Sequence, residues 1–303
     1  MSRLLVATAS GLRVFTAAGE AATELPGCAV GALATSPDGG CLAVVGGREI
    51  WRRSREGVWT KAATAGLALQ SVAAVGGVIF GGGEEEAAVV RVRPDGLPER
   101  LGGLDRIAGR ETWFASGPPL GVRSLTAAAD KAVLLAAVHV GGIPRSEDGG
   151  ETWTPTVPIA FDVHEVRAHP TLPGFAAAAA AVGLCVSRDG GRNWSVYAEG
   201  LEFTGSLAVA VLEDEVLFSI QDGPFAKRSQ VWRWRIGGQR VEPVGGGLPP
   251  WLEGKVDTGG IAAGCGHAAV ADRGGNLWRS REGSAGWERI ASGLPCVAGM
   301  AFV

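Results

Sequence analysis

The chain has 303 residues, 46% of them hydrophobic and 19% charged, enough to build a sizeable core. Its formal net charge of −3, with the signs interspersed, leaves no basic footprint for nucleic acid. No apolar run reaches the length of a membrane-spanning helix, so no membrane partner is expected. The five cysteines (Cys28, Cys41, Cys185, Cys265, Cys296) form no CxxC pair, which reads as reduced thiols in a cytoplasmic protein.

Forty-eight glycines and sixteen prolines, scattered along the chain, predict many short strands joined by many turns. The N-terminus is too short in apolar residues for a signal sequence and reads as a strand at Leu4–Thr8. A turn at Ser36-Pro37-Asp38-Gly39-Gly40 leads into strands at 42–45 and 49–52. The next unit covers roughly 67–104, with Pro94-Asp95-Gly96 at its last turn. An unusually long connection, 105–119, follows, and long loops in compact domains are often functional. Its Trp113 and Phe114 would floor or lid a pocket; alternatively Trp113 opens an outer strand. The fourth unit runs Val122–Ala127, 132–139, 143–145 and onward from Trp153. The fifth runs Val163–Ala168, 175–181, 183–186 and 194–197. A sixth extends from about Ser206 to Leu248, with Trp232-Arg233-Trp234 in its third strand, and a seventh from about Asp257 to Leu294.

Two turns in this series are near copies. Ser146-Glu-Asp148-Gly149-Gly150-Glu-Thr152-Trp153 and Ser187-Arg-Asp189-Gly190-Gly191-Arg-Asn193-Trp194 begin 41 residues apart. Worn copies begin at Ser54 and Ser280, at distances close to two further repeats. A period in the forties means stacked supersecondary units. The residue types suit a tight hairpin: Asp accepts backbone N–H groups, the glycines allow positive φ, and Trp covers the turn. These turns are therefore read as structural, through Ser146, Asp148, Gly150, Trp153, Ser187, Asp189, Gly191 and Trp194.

The termini supply the remaining unit. Leu294-Pro295-Cys296 followed by Gly299 resembles Leu25-Pro26-Gly27-Cys28 followed by Gly31, which places an innermost strand at 297–303 with no second strand after it. Leu4–Thr8 is a second strand with no first. Joining them closes a ring and removes free sheet edges. The expected fold is all-β: one seven-bladed β-propeller over 1–303, with four-stranded antiparallel blades (A to D), about 43 residues each. The S-x-D-G-G turns sit between strands C and D. Six blades is the rival count.

The turn motif resembles the Asp box of BNR-repeat propellers. The stretch from Gly117 through Trp153 to Pro170 looks like a widespread bacterial group of such propellers, often labelled glycosyl-hydrolase-like or sialidase-like. The resemblance implies the fold and no particular substrate. A true sialidase is not implied: the single tyrosine, Tyr197, falls on an outer strand, and the F/Y-R-I-P motif is absent. The chain also resembles propellers of the photosystem assembly-factor type, which act as binding platforms.

In such a fold the A-strand starts and B–C loops gather at one channel mouth. That sorts Arg123, His139, Asp162, His164 and Glu165 onto one face, together with Glu84-Glu85-Glu86, Gln221, Asp222, Lys227, Arg228, Trp251, Lys255 and Asp257. His169 and His267 fall at A–B turns on the opposite face. Arg123, His139, Asp162, His164, Gln221, Asp222, Trp251 and Asp257 are the ligand-binding candidates. His139 and His164, with Glu165 and Arg123, could serve acid–base chemistry. His139, His164 and Glu85 could hold a divalent metal. Two functions follow: a binding or scaffold propeller presenting its channel mouth to a small ligand or protein, or a hydrolase- or lyase-type enzyme, metal-assisted or not, using His139 and His164.

Overall fold

The computed structural model describes residues 2–113, 119–128, 133–223 and 225–303. Seven antiparallel sheets follow one another, which settles the count at seven blades. Six have four strands; blade six gains a fifth, Leu252–Glu253, paired to the start of its C-strand. In blade one the C-terminal strand Val297–Phe302 pairs with Leu4–Thr8, in the register Leu4↔Phe302, Leu5↔Ala301 and Val6↔Met300. Arg3 and Val303 exchange both backbone hydrogen bonds at 2.9 Å.

The strand sequences explain why these sheets stack. The blade four B-strand Leu134–Val138 is fully buried. Leu134, Ala136 and Val138 pack towards blade three, whereas Leu135 and Ala137 pack towards blade five. The alanine strand Ala176–Ala180 divides in the same way between blades four and six. Strand side chains alternate sides; with a blade on each side, both sets must be apolar, so the B-strands read as continuous apolar runs. Each seam between neighbouring blades holds its own apolar cluster. Blade one closes the circle through Leu4, Val6, Phe15 and Phe302 on its blade-seven side and Leu5, Ala7, Leu12 and Val14 on its blade-two side.

The A-strands line the axis, and each is the end strand of its sheet, so one backbone edge lacks a ladder partner. Side chains from neighbouring blades supply partners. Ser71 Oγ donates to Val122 O at 2.7 Å, Ser124 Oγ accepts from Val166 N at 2.8 Å, and Thr126 Oγ1 accepts from Ala168 N at 3.0 Å. Glu165 Oε2 accepts from Val209 N at 3.0 Å.

The S-x-D-G-G turns lie between C- and D-strands, at the ends opposite the A-strand starts. Asp148 Oδ1 accepts from Thr152 N at 2.9 Å and from Ser146 Oγ at 2.8 Å, while Ser146 Oγ accepts from Gly150 N at 2.9 Å. Asp189 repeats the pattern with Asn193 N at 2.9 Å and Ser187 Oγ at 2.9 Å. Burial pushes the Asp189 carboxyl up, but the bonds from Asn193, Ser187 and Arg192 outweigh it and bring the pKa down to about 2. Gly191 has φ 80°, and a Cβ there would lie 2.5 Å from Leu135, so only glycine fits.

The long connection after blade three differs from one of the sequence expectations for Trp113. The D-strand of that blade is Pro98–Leu101, so Trp113 opens no outer strand. Trp113 is instead buried in the seam between blades three and four, in a cluster with Leu104, Ile107, Val122 and Trp153. Phe114 lies outside the described residues.

Two outcomes follow. Asp148→Ala and Asp189→Ala each remove a turn acceptor and leave backbone donors unpaired, so each should cost about 1–3 kcal/mol in denaturant unfolding; unchanged midpoints would show the turns carry no stability. Removing 297–303 strips the inner strand from blade one and opens the ring. The truncated protein should lose thermal stability as a whole, and cooperative melting at the full-length temperature would contradict ring closure as the stabilising constraint.

Candidate functional site

Two local devices aim side chains at the channel mouth. The first is a recurrent β-bulge. Pairing of the A- and B-strands skips the second A-strand residue in blades two to five, leaving Gly31, Gln70, Arg123 and His164 unpaired. In blade one the skipped residue is Ala298. A bulge adds an unpaired residue and re-aims its side chain. The polar members fall on blades three to five. The second device is the end of the B-strand: His139 N donates to Gly121 O and Gln221 N to Gly205 O, both at 3.1 Å, so His139 and Gln221 occupy equivalent places in blades four and six.

His139, Asp162 and His164 come together. His139 Nε2 lies 3.9 Å from Asp162 Oδ1, and His164 Nε2 lies 3.5 Å from Asp162 Oδ2. Asp162 ends a short 3-10 turn (Ile159–Phe161) in the left-handed region, φ 46°, a conformation Asp tolerates. Both rings are anchored at the other nitrogen. His139 Nδ1 faces Pro119 O at 3.2 Å and His164 Nδ1 faces Ser206 O at 2.9 Å. A carbonyl only accepts, so in each neutral ring Nδ1 carries the proton and Nε2 carries the lone pair. Burial, reinforced by the Arg123 charge, pushes the His164 pKa down to about 4, so the ring is neutral at pH 7. The Nε2 lone pair of the neutral His164 and Nε2 of His139 thus both face the Asp162 carboxyl group.

The long connection after blade three holds this arrangement from beneath. Pro119 supplies the carbonyl for His139. Trp113 packs under the B–C loop of blade four so closely that a Cβ at Gly141 would lie 3.0 Å from its ring.

Arg123 does not reach an open anion site. Its Nη2 donates to Asp257 Oδ1 at 3.1 Å and Thr258 Oγ1 at 3.2 Å, spanning from blade four to the start of blade seven. Asp257 also accepts from Thr258 N at 2.9 Å and from Arg273 Nη2 at 2.7 Å. Burial raises the Asp257 pKa, and Arg123, the Thr258 N–H and Arg273 outweigh it, holding the carboxyl below its usual range. Residues 257–259 therefore reach across the axis: Thr258 Oγ1 donates to His164 O at 3.3 Å and Gly259 N to Glu165 Oε2 at 3.3 Å.

Glu165, expected as a catalytic candidate, is fully buried; its oxygens are taken by Arg167, Val209 N and Gly259 N, so it ties blades together. Glu85, expected as a metal ligand, sits on an exposed loop beside Glu84 and Glu86, the last paired with Arg100. Among the described residues, no group of three or more His, Cys, Asp or Glu is placed to hold a metal ion. Gln221 is buried at the mouth. Asp222 pairs with Arg228 at 2.8 Å, and Arg228 stacks 3.9 Å over Trp251, forming a separate group on blade six. Lys227 and Lys255 serve through backbone carbonyls that accept from Gly254 N and Arg273 N. His169 follows its A-strand at the far end from His164, and its Nδ1 accepts from Leu172 N at 2.8 Å.

Sequence reasoning missed Gln70, Ser206, Thr258 and Arg273. Gln70 had one usable signal, its place opposite Arg123 and His164 in the repeat. The buried polar atoms without a partner also mark the mouth: of seven among the described residues, Asp162 Oδ1, Ser206 Oγ, Gln221 Oε1 and Asp222 Oδ1 belong to blades five and six or the connections into them. Such groups are costly to leave unmade.

A scan against protein-family models finds no match, and no curated protein matches the chain. Solved β-propeller structures do. A selenomethionine-substituted virginiamycin B lyase from Staphylococcus aureus superposes with a TM-score of 0.63 at 10% identity, over 98% of this chain and 88% of that one. A GH74 xyloglucanase from Xanthomonas campestris gives 0.60 at 17% identity, over 95% of this chain and 46% of that one, so the chain spans about half the xyloglucanase. At these identities the likeness is one of fold. The protein is a seven-bladed β-propeller, and no helix among its described residues is long and apolar enough to cross a membrane.

The low His164 pKa has a consequence for stability. Below about pH 6.5 the unfolded ring takes a proton that the native ring refuses until about pH 4. The contribution is therefore fully present above pH 6.5 and is lost as pH falls through that window, amounting to about 3 kcal/mol. Unfolding free energies at pH 7 and pH 4.5 should differ by most of this amount in the wild type and by much less in His164→Gln. Equal differences would show that His164 titrates normally.

Proposed function

We propose that the chain is a binding propeller whose channel mouth takes a small ligand that donates hydrogen bonds to His139, Asp162 and His164. One observation carries the reading: the Nε2 atoms of two imidazoles converge on an Asp162 carboxyl group whose Oδ1 is buried without a partner. A hydroxyl or ammonium group on a ligand would complete them. Recessed side chains, with both histidines 8% exposed, favour a small molecule over a protein surface. The S-x-D-G-G turns support placing the chain with the BNR/Asp-box propellers, as a member with no sialidase chemistry. A reducing, cytoplasmic setting is part of the same proposal, suited to five free cysteines.

The second reading, a hydrolase or lyase, is favoured by the same His–Asp–His geometry, in which Nε2 is free to accept a proton. A thermal-shift panel of monosaccharides, polyols and primary amines tests the binding reading. Stabilising compounds should lose their shift in Asp162→Asn and in His139→Gln. Shifts that persist undiminished in both variants would overturn it. Metal analysis of untagged protein discriminates the second reading: stoichiometric Zn, Mn, Fe or Ca that disappears in His164→Ala would favour metal-assisted catalysis.

A further inference from the structure

The segment that closes the axis divides the channel into unequal parts. At the level of Arg123, Thr258 and Gly259 the free space is about 30 Å³, room for a water. Below it the channel widens to a cavity of about 380 Å³, within the range that holds small organic ligands. The rim of this chamber is formed by A–B turn residues such as Ser36, Pro37 and His169. It therefore opens on the face opposite the His139–Asp162–His164 cluster and is blind at its inner end.

The chamber has a defined chemistry. Its walls mix apolar side chains such as Leu33, Val211 and Met300 with the polar Thr35, Thr126 and His169. Among the described lining residues the one charged side chain is Arg167, which also borders the constriction above and so stands at the closed end. Arg167 is held there by Glu165, to which its Nε and Nη2 donate; neither bond uses Nη1. Glu165 is fully buried, whereas the Arg167 side chain keeps 30% exposure, so it is the cation of this pair that faces the cavity. An arginine fork with a remaining edge suits a carboxylate.

We propose that this lower chamber binds a small amphipathic anion, an aliphatic or aromatic monocarboxylate. Its carboxylate would meet Arg167 at the closed end and its apolar tail would lie along the alanine-rich walls towards the rim. The site is separate from the mouth cluster and does not depend on the function assigned to it.

Isothermal titration of the full chain with octanoate at pH 7.5, with octylammonium as the charge-reversed comparison, tests the proposal. One saturable octanoate site is expected, at least tenfold tighter than any octylammonium binding. Ala127→Phe enlarges a side chain that lines the chamber, outside the Arg167–Glu165 pair, and should weaken octanoate at least tenfold. Arg167→Gln should do the same, and Asp162→Asn on the opposite face should leave octanoate binding unchanged. Should Arg167→Gln fail to fold, because it strands Glu165, the octylammonium comparison and Ala127→Phe still decide. Absence of saturable octanoate binding, equal binding of octylammonium, or full-strength binding by Ala127→Phe would overturn the proposal.

Discussion

A four-stranded sheet that is apolar on both faces must be covered on both faces, and here the only cover available is another blade. Everything else in the molecule follows from that requirement. Leu134, Ala136 and Val138 need blade three while Leu135 and Ala137 need blade five, and each blade repeats the demand. A row of blades would leave two faces wet; a ring leaves none. The chain closes the ring by splitting one blade between its ends, so that Val297–Phe302 completes the sheet begun by Leu4–Thr8. That pairing is backbone hydrogen bonding, but its effect is on two apolar seams, because blade one packs against blades seven and two.

Closing the ring creates a second problem at the axis, where seven end strands present unpaired edges. Burying such groups without partners is expensive. Ser71, Ser124, Thr126 and Glu165 answer it by reaching from one blade to the inner strand of the next. Residues 257–259 answer it from across the channel, with Arg123 and Arg273 neutralising Asp257. This bar sets the boundary between two environments: above it lies a mouth rich in proton acceptors, and below it a chamber of mixed walls with Arg167 as the one charged side chain among its described lining residues.

The bulges connect the scaffold to the mouth. At the second A-strand position, a regular strand would send the side chain into a seam; the bulge frees it towards the axis. Small residues occupy this place in blades one and two (Ala298, Gly31), and polar ones in blades three to five (Gln70, Arg123, His164). The ring is thus sevenfold in construction and one-sided in chemistry. The asymmetry is deepened by the connection 105–119, which is longer than its counterparts and lends Pro119 O and the Trp113 ring to the placement of His139.

By itself the sequence determined the repeat and the way the ends join, and narrowed the blade count to seven or six. These rest on local properties: glycine pairs that accept positive φ, an Asp that caps its own turn, and apolar strands of the right length at a steady period. It also sorted His139, His164 and Arg123 to the same ends of their strands, since strand direction alternates regularly. Only the tertiary structure decided which polar groups remain available. Glu165 adjoins His164 in sequence yet points to the next blade and is consumed there, because neighbouring strand residues face opposite ways. The Arg123 charge is met by Asp257, 134 residues away, and Trp113 disappears into a seam. The partner of a buried charge depends on where separate blades stand around a common axis, and no local pattern of residues encodes that distance.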